Sequence, residues 1–136
     1  MIKVLSDETF VKDDPVRPSL SYAFRKSVGE MFYIGEDKPT AIVCTAFTTD
    51  IPKTVRELAL YSHPQGDNCI AYTVWRYAPG AGRDIIYELR DYAIENDFKR
   101  LVTLSPKTRM ARKFHLRNGA FILNENEETD NYEYEL

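Results

Sequence analysis

The chain of 136 residues is 43% hydrophobic and 29% charged, and its 18 Lys and Arg against 21 Asp and Glu leave a net charge of −3. That composition describes one soluble domain, residues 1–136, and the longest near-continuous apolar run, Ala41–Phe47, falls far short of the roughly 18 residues that cross a bilayer. The opening Met1–Glu8 turns acidic before a signal-peptide core could form, so a cytoplasmic location is expected and no membrane partner.

In chain order, residues 1–6 and 30–35 read as strands. Between them Leu20, Ala23, Phe24 and Val28 recur at helical spacing, which predicts a short helix over 18–29 closed by Gly29. Ala41–Thr48 is rich in β-branched and aromatic residues and predicts another strand, whereas 54–61 fits a helical turn or a strand equally. Cys69–Trp75 predicts a strand running into the loop Arg76–Gly82. Ile85, Ile86, Leu89 and Ala93 then share one face of a helix over 83–96. A strand over 100–104 and a helix over 108–118 follow, the helix with Met110, Ala111 and Phe114 inward and Asn118-Gly119 as its terminus. Residues 120–123 and 131–136 predict the last two strands, the final one alternating Tyr132, Tyr134 and Leu136 against Glu133 and Glu135. The order implies an α/β fold, a mixed sheet flanked by helices.

Cys44 and Cys69 sit in apolar, strand-like surroundings and read as reduced core thiols, and neither they nor His63 and His115 have metal-ligand spacing. Charge is uneven along the chain. Glu125, Glu127, Glu128, Asp130, Glu133 and Glu135 close it without a basic residue, while Lys107, Arg109, Arg112, Lys113 and Arg117 cluster without an acidic one. This basic stripe is either a solvated helix face or an anion site, and a pI of 5.4 argues against nucleic acid as its partner.

Pro79-Gly80-Ala81-Gly82 lies directly between a strand and a helix. Glycines there let backbone N–H groups approach a ligand, and the helix dipole adds positive character at the same point, so a phosphate or pyrophosphate suits it, as would a plain tight connection. The loop has no Gly-Lys-Ser/Thr ending, which removes the triphosphate P-loop, and it lacks the third glycine of a dinucleotide fold.

The strand, the loop Tyr77-Ala78-Pro79-Gly80-Ala81-Gly82 and the helix after it resemble the Gcn5-related N-acetyltransferase (GNAT) family, whose acetyl-CoA loop reads Gln/Arg-x-x-Gly-x-Gly/Ala. Downstream, Thr108 to Ala120 resembles the family's Asn-x-x-Ala-x-x-x-Tyr-x-x-x-Gly-Phe, keeping Ala111 and Gly119 but placing Thr108, His115 and Ala120 where the family has asparagine, tyrosine and phenylalanine. The resemblance implies an acyl-CoA N-acyltransferase-like fold, a mostly antiparallel sheet in which strands 4 and 5 splay apart, and acetyl transfer from acetyl-CoA to an amine. It implies an acceptor-side half over 1–65 and an acetyl-CoA half over 66–136. Gly80, Ala81, Gly82 and Arg83 would hold the pyrophosphate, Val74, Trp75 and Arg76 the pantetheine arm, and Arg76, Arg112 and Lys113 the outer phosphates, with Thr108 in the asparagine position.

Under the same resemblance His115 occupies the slot of the tyrosine that protonates the departing thiolate. It stands as a general acid, a direct ligand contact or a packed helix residue, since an imidazole of reference pKa about 6.5 is mostly neutral at pH 7. Glu30 and Asp67 are candidate bases through water, and Arg17, Arg25 and Lys26 would favour an acidic acceptor. Trp75, the only tryptophan, reads first as a core residue. The alternative is a catalytically inactive module of the same fold that binds CoA or a protein, and the departures at Thr108 and His115 favour it. The alternating C-terminal strand also suggests a sheet completed by a second copy.

Overall fold

Three of the four α-helices begin at a hydroxyl that stands in for a missing carbonyl. Ser21 accepts from the Phe24 amide at 3.0 Å ahead of α1 (Tyr22–Val28), Thr54 from Glu57 at 3.2 Å ahead of α2 (Val55–Leu60), and Thr108 from Ala111 at 3.1 Å ahead of α4 (Arg109–Arg117). The exception is α3 (Ala81–Glu95), which follows Gly80 at φ +78° and has no side-chain cap. Its first amides are left for something else.

The computed structural model describes residues 1–136. The strands are β1 (Lys3–Val4), β2 (Gly29–Ile34), β3 (Ala41–Thr48), β4 (Asn68–Arg76), β5 (Arg100–Thr103), β6 (Ser105–Pro106), β7 (Phe121–Glu125) and β8 (Thr129–Tyr134), and a 3-10 helix spans Glu8–Asp13. They form one sheet in the order β1-β2-β3-β4-β5-β8-β6, with β7 on the other edge of β8. Every pairing is antiparallel except β4 with β5. That parallel pair runs only from Asn68 opposite Arg100 to Ala71 opposite Thr103, and beyond it β4 continues to Arg76 paired with β3 on one edge and with no strand on the other. The expected splay of strands 4 and 5 is present.

A bulge marks where β4 leaves its neighbour. Cys44 pairs with Thr73 and Thr45 with Ala71, so Tyr72 is an extra residue in β4. The extra residue inverts the alternation of side chains: Ile70 and Tyr72 face one core layer, and after the bulge Trp75 faces that layer while Val74 packs with Cys69 and Ala71 in the other. Ile85, Ile86 and Leu89 of α3 close the second layer; Val28 and Leu58, from α1 and α2, close the first.

Several sequence expectations are corrected. The first strand keeps only Lys3–Val4, because the chain turns into the 3-10 helix, and 54–61 resolves to helix over Val55–Leu60. Met110 points outward at 83% exposure; Phe114 packs against the core as expected, and the most buried residue of α4 is His115 at 6%. Leu136 lies past the end of β8 and is exposed. The C-terminal strand has no free edge for a second copy, since β5 and β6 pair along one side and β7 along the other. No helix is long and apolar enough to cross a membrane.

Candidate active site between the splayed strands

The gap between β4 and the segment after β5 forms a cavity of about 560 Å³. Its walls come from Tyr72–Arg76 of β4, Gly82 and Ile86 of α3, Ser105 and Pro106, and Thr108, Phe114 and His115 at α4, with Pro15 and Val16 beside them. The N-terminal third therefore meets the second half of the chain at this point.

The fork is held open by a side chain. Arg17 donates from Nε to the Tyr72 carbonyl at 3.1 Å and from Nη2 to the Leu104 carbonyl at 3.0 Å, one bond to each diverging strand. Just before it, Leu104 still donates to the Ala71 carbonyl at 3.0 Å. Asp14 places Arg17: its carboxylate accepts from the amides of Val16 and Arg17 at 2.8 and 2.9 Å, from the Thr73 hydroxyl at 2.9 Å and from Arg25 at 2.6 Å. Arg25 also donates to the carbonyls of Arg17 and Leu20 at 2.7 and 3.0 Å. Arg17, Arg25 and Lys26 are thus occupied, Lys26 by Glu30, and they do not form the free basic patch expected for an acidic acceptor.

At the other end of the cavity the amides of Gly82 and Arg83 have no backbone partner, while Ala81 donates to Ala78 at 3.2 Å. Helix N-termini with free N–H groups favour anions. Gly82 packs closely, since a Cβ there would lie 3.2 Å from Cε1 of Phe114 and the ring would have to give by a few tenths of an ångström. Tyr77, in the basic position of the loop, turns away: its hydroxyl donates to Asp13 at 2.7 Å and accepts from Trp75 Nε1 at 2.9 Å. Burial and the Asp13 partner push its pKa up to about 12.

Of the residues singled out by sequence, Val74, Trp75, Arg76, Gly82, Thr108 and His115 come together on the cavity wall. Gly80, Ala81 and Arg83 sit at the adjoining helix start, where Arg83 leans on Asp84 at 3.4 Å. Arg112 is drawn to Glu125 at 3.7 Å, and Lys113 is exposed on α4; neither borders the cavity. Thr108 reaches it as the cap of α4. Neither candidate base reaches it: Glu30 pairs with Lys26, and Asp67 with Lys99 at 3.3 Å. No carboxylate lines the cavity at all.

His115 is packed on three sides. Its ring stacks on Tyr132 at 5.1 Å and 27°, meets Phe114 and Tyr134 edge-on, and holds the Tyr134 hydroxyl 2.7 Å from Nδ1. Burial lowers its pKa to about 4, so the ring is neutral at pH 7. Asp14, Arg17, Arg25 and Tyr134 were not singled out for these roles by sequence, because the roles depend on the approach of distant segments: Arg17 reaches Tyr72 and Leu104, Asp14 reaches Thr73, and Tyr134 meets His115.

No family model matches the chain, and no curated protein matches it in sequence. Solved structures do match in shape. An acetyltransferase of the GNAT family from Listeria monocytogenes superposes with a TM-score of 0.66 at 12% identity, over 100% of this chain and 94% of that one. A Bacillus subtilis acetyltransferase in complex with CoA gives 0.68 at 10%, over 99% and 97%. Malonyl-CoA decarboxylase from Cupriavidus metallidurans gives 0.70 at 13%, over 99% of this chain and 60% of that one. The chain therefore has the acyl-CoA N-acyltransferase fold, the fold of the GNAT acetyltransferases.

Proposed function

We propose that this protein is an N-acetyltransferase that moves an acetyl group from acetyl-CoA to an amine. The observation that carries this is the edge of β4 past Ala71 that no longer pairs with β5, which opens into a cavity ending at the uncapped start of α3. A free strand edge offers amides and carbonyls to an extended amide-containing arm, as in strand addition, and the Gly80–Arg83 turn offers N–H groups to a pyrophosphate. Arg76 contributes charge beside Gly82, with Arg83 at the helix start. The bound thioester supplies an activated acyl carbon.

The chain's own residues define the rest. With no carboxylate in the wall and Arg76 as its only charged side chain, the cavity excludes a protonated amine, so the acceptor enters as the free base, past residues of the 1–65 half. The proton it sheds on forming the amide equals the one the departing sulfur needs, and the step balances without an outside acid. His115, neutral and on the wall, supplies a hydrogen bond to that sulfur.

The same missing carboxylate favours a second reading, a CoA-binding module without turnover. Calorimetric titration with acetyl-CoA and CoA tests what both share: micromolar binding that a Gly82→Trp variant abolishes is expected, and no binding at millimolar ligand overturns both. Amide formation with a panel of weakly basic amines then separates them.

A further inference from the structure

The Tyr134 hydroxyl is buried, and its only hydrogen-bond partner is Nδ1 of His115, at 2.7 Å. An O–H in such a place is favoured to donate there, because a buried donor left unpaired costs about 1–3 kcal/mol. If Nδ1 instead carried the proton and donated, the phenol proton would have nowhere to go. Nδ1 therefore offers its lone pair, and the proton of the neutral ring belongs on Nε2. That nitrogen has no partner in the protein, and His115 is part of the cavity wall. Stacking on Tyr132 and the edge contacts with Phe114 and Tyr134 hold the ring plane, and a half-turn about Cβ–Cγ would put Cδ2 where Nδ1 stands and break the hydrogen bond.

We propose that Tyr134 is a positioning residue: it fixes His115 as the Nε2–H tautomer and so turns a packed histidine into a hydrogen-bond donor aimed at the cavity. Its importance for catalysis rests on the acyltransferase reading above; the tautomer does not. A tyrosine on β8 and a histidine on α4, brought together only by the fold, then act as one unit.

The test is long-range ¹H–¹⁵N correlation of the imidazole at neutral pH, on the ligand-free protein and on Tyr134→Phe. The expected result is a single Nε2–H tautomer in the parent and a mixture in the variant, with backbone amide dispersion retained. An Nδ1–H tautomer or a mixture in the parent overturns the proposal, whether or not the variant folds, and so does an unchanged Nε2–H tautomer in a folded variant. With acetyl-CoA and an accepted amine, Tyr134→Phe should lower kcat about tenfold, the rate equivalent of one neutral hydrogen bond, with KM for acetyl-CoA unmoved. Loss of CoA binding in the parent would sink the acyltransferase reading and leave the tautomer result standing.

Discussion

The Asp14 carboxylate and the Arg25 guanidinium meet at 2.6 Å with neither side chain exposed. The pair does not touch the cavity, yet it fixes the segment that carries Arg17 to the fork of β4 and β5 and seats Thr73 just past the bulge. Removing one partner leaves the other charged and buried, so Asp14→Ala should cost about 3–5 kcal/mol of folding stability. The double variant Asp14→Leu with Arg25→Met should recover most of that loss. Urea unfolding of the three proteins checks both expectations, and an Asp14→Ala protein as stable as the parent would deny the pair its structural role.

Acid should weaken the fold through His115. Its folded pKa, lowered by burial to about 4, lies below the value of about 6.5 for a free imidazole, so the unfolded chain takes up a proton that the native one refuses. The contribution is complete above pH 6.5, declines as pH falls towards 4 and is constant below. It amounts to on the order of 3 kcal/mol at 1.36 kcal/mol per pKa unit. Other groups titrate in the same range, so the measurement is the difference between the parent and His115→Phe across pH 4 to 8. A difference that does not change over that window would show that the ring takes up its proton as readily in the native state as in the unfolded chain.

Both cysteines should be inert in the native protein. Burial pushes the thiols of Cys44 and Cys69 up to about 12, which leaves almost no thiolate at pH 8. A disulfide reagent should modify neither until denaturant is added, and then both. Rapid modification of the native protein would show that at least one of the two thiols is accessible and overturn this expectation.

Deleting the chain from Asn131 onward should unfold it. β8 joins β5 and β6 to β7 and brings the buried Tyr132 and Tyr134; Asn131 donates to the carbonyls of Thr103 and Pro52 at 2.8 and 3.0 Å. Circular dichroism of the truncated chain should show no cooperative melt. A truncated protein that melted like the parent would contradict the interior place of β8.

Much of this protein was legible in its sequence, since periodicity, caps and turn glycines act over a few residues. Ala41–Thr48 is a strand at its expected bounds, and Gly80 precedes a helix that lacks a side-chain cap. Those local signals, with the loop and the α4 segment, carried the resemblance and the expected splay. Tertiary structure alone decided the rest. Arg17 reaches carbonyls 55 and 87 residues away, and His115 meets Tyr134 across 19, separations over which no local pattern says which polar groups will share a buried space. Met110 shows the same gap in reverse: it occupies an inward position by helical spacing, yet α4 rests on the sheet at a rotation that buries His115 and leaves Met110 in solvent. A short basic helix has too little apolar surface to specify that rotation, and the aromatic pocket of Phe114, Tyr132 and Tyr134 decides it.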